Sequence, residues 1–223
     1  MDQIMFNFEE FSLAGKDLYI RGLVDSGSGN MSVRDGDKIY ITKQNAMLAH
    51  LREEDIIEVM LDSDEKDSGA ARELPVHRAI YKETSFNSVI HAFPPNGIAL
   101  SINTENKIMP PDIKGQMVLK SIPVVRARAV MPELVKFLPP IYKSGYFVSI
   151  VKEYGSFAAG MSLAEALQFT TCLEDSCKIA VIAKSLVPQE KPKEQRHERR
   201  TAIPPSIGVM GRSRGGYKRG FGR

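Results

Sequence analysis

The chain has 223 residues, a formal net charge of +3, 43% apolar and 26% charged residues, the proportions of a globular chain with a sizeable core. No apolar run approaches the roughly 18 residues that suggest a membrane span, and Asp2, Glu9 and Glu10 stand where a signal peptide would be basic and then apolar. An intracellular, cytoplasmic protein with no membrane association is the expectation. The positive charge is local: from Glu190 onward there are ten Lys/Arg against three Asp/Glu, which leaves 20 against 24 in the body.

Ile4, Met5, Phe8, Phe11, Leu18 and Ile20 recur at helical spacing and predict an amphipathic first helix to about Ile20. Gly22 follows, where a left-handed residue stops a helix. Leu23-Val24 then runs into the Gly-rich loop Asp25 to Asn30. Met31 to Arg34 and Lys38 to Thr42 read as two strands around Asp35-Gly36-Asp37, a hairpin signal. Ala46 to Arg52 predicts a short helical turn, Ile56 to Leu61 a strand, and Asp62 to Gly69 an exposed loop.

Arg72 to Tyr81 is helical in pattern, with Pro75 tolerated in the first turn. Ser88 to Ala92 predicts a strand, and Pro94-Pro95 opens a helix to about Ser101. Gln116 to Val125 reads as a strand or strand pair, Pro132 to Leu138 as a short helix, Tyr146 to Val151 as a buried strand, and Gly155 to Gly160 as loop or strand. Ser162-Leu163-Ala164-Glu165 is a capping box that opens a helix to about Leu186. Cys172 and Cys177 lie five apart in it, too far for a zinc pair or redox motif, and are expected as small buried or half-buried thiols. Several strand connections are too short for helical crossovers. The pattern therefore predicts an α/β domain with a largely antiparallel or mixed sheet over residues 1–186, followed by a basic tail, 187–223, with scarcely any apolar periodicity.

Four segments in order carry more: Gly22–Arg34 (GLVDSGSGNMSVR), Arg72–Tyr81 (RELPVHRAIY), Val89–Pro95 (VIHAFPP) and Glu153–Leu167 (EYGSFAAGMSLAEAL). Together they resemble the class II aldolase/adducin head family, which includes fuculose- and ribulose-phosphate aldolases and epimerases. The resemblance implies a three-layer α/β/α sandwich around a mostly antiparallel sheet. It also implies a homotetramer with active sites at subunit boundaries.

Residue by residue, Ser28, Gly29 and Asn30 match the family's loop for the substrate phosphate. The physics agrees, because glycines let backbone N–H groups approach an anion and Asn30 adds a donor; a structural turn would use the same residue types. Gln44 and Asn45 stand where the family has Thr-Gly or Ser-Gly. Arg72, after Ala71, stands beside the position of a phosphate-binding Ser, and its guanidinium is a charged, forked donor. Glu73 matches the family's catalytic acid, although a carboxylate at a helix start is favoured electrostatically in any case. His77, one turn later, is expected as a structural histidine hydrogen-bonded within the helix layer.

The metal ligands depart from the family. A His-x-His pair before Pro-Pro and a third histidine in an Asn-His-Gly-like turn would hold zinc. Here His91 is kept, while Phe93 and Tyr154 replace the other two. Catalytic zinc normally has three protein ligands, so no cofactor is expected, with zinc or another divalent ion as the alternative. Without a Lewis acid the enediolate of aldol cleavage lacks its main stabiliser. The leading expectation is a binding or assembly protein that has lost zinc-dependent aldolase activity. The alternative is an active sugar-phosphate aldolase or epimerase using Glu73 and a nonstandard metal site.

In the tail, Arg212, Arg214, Tyr217, Lys218, Arg219 and Phe221 resemble RGG-type segments. They suggest RNA or another polyanion as a partner, since Arg pairs with phosphate and rings stack on bases; a solvated extension with no partner has the same composition.

Overall fold

The computed structural model describes residues 6–63, 69–127 and 130–186, all within one compact unit, Met1–Pro188. The tail residues named above and most of the Asp62–Gly69 loop lie outside the described residues.

Helix α1 (Phe8–Ile20) begins where the Asn7 side chain accepts from the Glu9 N–H. It ends where the Gly22 N–H reaches Tyr19 O and the Leu23 N–H reaches Leu18 O, both at 2.9 Å. That pair of hydrogen bonds is the glycine-terminated stop the sequence predicts. The hairpin follows as β1 (Asn30–Asp35) and β2 (Lys38–Thr42), and β3 (Ile56–Met60) pairs with β2. Next come α2 (Leu74–Glu83), β4 (Ser88–Ala92) and α3 (Pro95–Ile102). The second half comprises β5 (Lys107–Ile108), α4 (Ile113–Leu119), β6 (Ile122–Val125), α5 (Val130–Lys143), β7 (Val148–Val151), β8 (Gly155–Gly160) and α6 (Leu163–Leu186).

The eight strands form one sheet in the order β3-β2-β1-β4-β8-β7-β6-β5. Every neighbouring pair is antiparallel except β6 and β7, which run parallel. The sheet is therefore mixed but mostly antiparallel. Alternation along the strands sends side chains to two cores. On one face Ile39, Ile41, Val89, Val151 and Phe157 pack against Leu74, Val76 and Ile80 of α2 and Leu134, Leu138 and Tyr142 of α5. On the other, Met31, Val33, Ile90 and Ile150 pack against α1 and α6. This is the three-layer sandwich.

Two expectations are corrected. Gln116 to Leu119 belongs to a helix, not to a strand; only Ile122–Val125 of the predicted stretch is extended. Asp112 caps α4 by accepting from the Gly115 N–H at 2.7 Å, and Gly115 fits closely against Ser176 of α6, where a Cβ would lie 2.2 Å from its Oγ. Docking and a cap outweigh the apolar, strand-like pattern. Helix α5 also outruns its expected end at Leu138, continuing through Pro139-Pro140 to Lys143. It is anchored there by buried Tyr142, whose hydroxyl donates to Phe157 O at 2.7 Å. Both cysteines are buried, in the core beneath α6.

Candidate active site

The site lies where β1, β4 and the β7–β8 turn meet the start of α2. Asn30 opens β1 and is registered opposite His91 on β4, which in turn faces Phe157 on β8. On β1 the alternate residues Asn30, Ser32 and Arg34 face α2, where the N-cap Glu73 and then His77 and Tyr81 recur every four residues. Asn30 Nδ2 donates to Glu73 Oε2 at 2.8 Å. Ser32 Oγ lies 2.7 Å from both His77 Nδ1 and the Tyr81 hydroxyl, and Arg34 donates to Tyr81 O at 2.8 Å. His77 is thus structural, as expected, though its partner is in the sheet and not in the helix layer.

Glu73 is 6% exposed and precedes α2 as its N-cap residue. Both carboxylate oxygens accept hydrogen bonds: Oε2 from Asn30, and Oε1 from the Tyr154 hydroxyl. Arg72 Nε lies 3.6 Å from Oε1, with a mostly exposed side chain. Burial first, then the hydrogen bond and charge of Glu73, push the Tyr154 phenol well above its ordinary range. His91 is fully enclosed; burial drives its pKa down to about 4, against an upward pull from Glu73.

A pocket of about 120 Å³ opens above Glu73. Ser28, Gly29 and Asn30 line one side, Gln44 and Asn45 another, and Arg72 and Glu73 a third, with His91 and Phe93 also in its wall. All the residues expected at a phosphate site therefore converge on one pocket, from three separate stretches of chain. Gly29 has φ +82, and a Cβ there would collide with Val24 Cγ1 at 2.4 Å; the loop needs glycine to lie this close to the core. Ser28 Oγ accepts from the Asp25 N–H and Asp25 Oδ1 from the Gly27 N–H, so the loop is braced from within.

Sequence reasoning did not reach three features. Gly27 and Ala71 also line the pocket. Phe157 stacks on His91, ring centroids 4.4 Å apart. Its signal was its place two residues beyond Gly155 on the alternation of β8, which is readable only once that segment is known to be a strand. The bond from Tyr154 to Glu73 depends on the turn geometry and has no sequence signature.

The residues present do not fit a three-histidine zinc centre. Phe93 has no donor atom, the Tyr154 hydroxyl is taken up in a hydrogen bond donated to Glu73, and both Glu73 oxygens are engaged. Among the described residues no group of three His, Cys, Asp or Glu is disposed to hold a metal ion.

The sequence matches the class II aldolase and adducin N-terminal domain family over residues 9–181. The chain belongs to this family. It is 31% identical over 176 residues to an L-fuculose phosphate aldolase of Methanocaldococcus jannaschii, a match covering 78% of this chain and 95% of that one. Among solved structures it resembles the L-fuculose-1-phosphate aldolase of Thermus thermophilus, with a TM-score of 0.76 and 30% identity over 82% of this chain and 98% of that one. YgbL of Escherichia coli, at 19% identity and a TM-score of 0.72 over 83% of this chain and 93% of its own, shares the fold.

Proposed function

We propose that this class II aldolase-family protein binds a small phosphate-bearing ligand of the sugar-phosphate class and does not carry out zinc-dependent carbon–carbon cleavage. The observation that carries the reading is the convergence of Ser28-Gly29-Asn30, Gln44-Asn45 and Arg72 on one pocket beside Glu73. Backbone and amide donors suit phosphate oxygens, and Arg72 supplies charge-assisted donors where the family uses a hydroxyl. Phe93 and Tyr154 support the second half of the reading.

Calorimetric titration with inorganic phosphate and with L-fuculose 1-phosphate tests it. Binding is expected, and Arg72→Ala should weaken it about tenfold or more, the loss of one charged hydrogen bond. No binding, or binding indifferent to Arg72, overturns the pocket assignment. Cleavage of the sugar phosphate that disappears in Glu73→Gln would instead assign lyase activity.

The family resemblance supports a homotetramer, measurable by light scattering. The tail supports a second partner: Arg212, Arg214, Lys218 and Arg219 interleaved with Tyr217 and Phe221 form the composition that binds RNA or another polyanion. Affinity of the full chain for single-stranded RNA should fall steeply with salt. It should be lost when the four basic residues are changed to Gln; unchanged affinity would sink this part.

A further inference from the structure

Three rings cluster beside Glu73, with Tyr154 stacked on His91 at an interplanar angle of 17°. The centroids of His91 and Phe93 are 4.8 Å apart, those of His91 and Tyr154 5.1 Å, and those of Phe93 and Tyr154 6.4 Å. Three imidazoles on a tetrahedral ion with Zn–N bonds of about 2.0–2.1 Å have ring centres about 5 Å apart, because each centre lies about 3 Å from the metal. Two of the three spacings are those of a three-nitrogen centre and the Phe93–Tyr154 one is wider, and only one of the rings carries nitrogen.

That nitrogen is the second observation. His91 Nε2 is buried and has no hydrogen-bond partner, an expensive state for a polar atom. It is not simply misdirected into the core. A Cβ built on Gly155, next to Tyr154, would lie 3.0 Å from Nε2 and 3.4 Å from Phe93 Cδ1. The bare nitrogen and the Phe93 ring edge thus close on the same spot, under the turn that delivers Tyr154.

We infer that His91, Phe93 and Tyr154 form a closed, carbon-filled version of a three-nitrogen metal centre, in which Phe93 and Tyr154 alone keep a divalent cation out. His91 Nε2 and Glu73 are the half of the site that remains. Tyr154 also takes over one task a cation would perform, since its hydroxyl gives Glu73 Oε1 a partner. The inference goes beyond the binding of a phosphate ligand and does not depend on it.

The test is metal content, not turnover. Full-length Phe93→His/Tyr154→His protein is incubated with zinc, freed of loose metal by gel filtration, and analysed by mass spectrometry for zinc per chain. One zinc per chain is expected, at least tenfold above the wild type handled identically, and adding His91→Ala should return it to the wild-type level. Zinc should also raise the thermal midpoint of the double variant and leave the wild type unmoved. A double variant with wild-type far-UV circular dichroism that takes up no zinc overturns the inference. So does wild-type protein that keeps stoichiometric zinc through dialysis against a chelator. Should the double variant not fold, Phe93→His alone decides: zinc retention above wild type supports the inference, and retention equal to wild type overturns it.

Discussion

At the scale of single residues, the turn before β8 shows how the site is held. Glu153 has φ +60, a left-handed conformation that a residue with a Cβ adopts at a cost of about 1 kcal/mol. The strain sits one residue before Tyr154, and the turn it permits puts that hydroxyl on Glu73. Gly155 has no freedom either, because a Cβ would lie 2.6 Å from Ala92 O. His77 illustrates the electrostatic side. It is buried, and desolvation, reinforced by nearby His91, lowers its pKa from 6.5 to about 3. In the unfolded chain the same imidazole gains a proton below pH 6.5, while in the folded chain it stays neutral until about pH 3. Its contribution to stability is therefore intact above pH 6.5 and lost progressively as pH falls between those values, by up to roughly 1.4 kcal/mol per pH unit. Urea midpoints measured from pH 7 to 5 should fall, and His77→Gln should make the fall shallower. An equally steep fall in the variant would show that His77 is not responsible.

At the scale of elements, the seam between α2 and β1 is a match of two periods. Four residues of helix advance about 6 Å, and two residues of strand about 6.7 Å. Glu73 therefore meets Asn30 and His77 meets Ser32, and by the third rung the two have drifted apart. Tyr81 is accordingly shared: its hydroxyl donates to Ser32 O at 2.9 Å, while Arg34, a longer side chain, reaches Tyr81 O and lies 5.7 Å from the ring centre. Tyr81→Phe should cost about 1–3 kcal/mol, because it strips buried Ser32 of a partner on both its oxygens; urea unfolding measures it. A loss below a few tenths of a kcal/mol would show that the seam is packed but not held by these bonds. The same scale shows what sequence reading can and cannot reach. The Gly22 stop, the hairpin after Asp35 and the Ser162 cap are local, and each was legible. Even so, Glu165 reaches the Met161 N–H at 2.6 Å, one residue earlier than a standard capping box. Helix α4 was illegible because its reason, the fit of Gly115 on α6, lies elsewhere in the chain.

At the scale of the molecule, the lining of the candidate pocket was readable while its connections were not. Ser28 to Asn30, Gln44, Asn45, Arg72, Glu73 and His91 were named from motif positions, and they share a pocket. Tyr154 as the partner of Glu73, and Phe157 as the stacking partner of His91, required the sheet order. Among the described residues no helix is long and apolar enough to cross a membrane.

The strand order β1-β4-β8 has a consequence for how the site comes into being. Its contacts join residues far apart in the chain: Asn30 and Glu73 are 43 positions apart, Asn30 and His91 61, and Glu73 and Tyr154 81. Closing loops of that size costs entropy that only later contacts repay. The pocket's lining comes from separate stretches between Gly27 and Phe93, so it exists only once β1, β4 and the start of α2 have come together. A ligand that bound there and not to the unfolded chain would stabilise the fold by mass action.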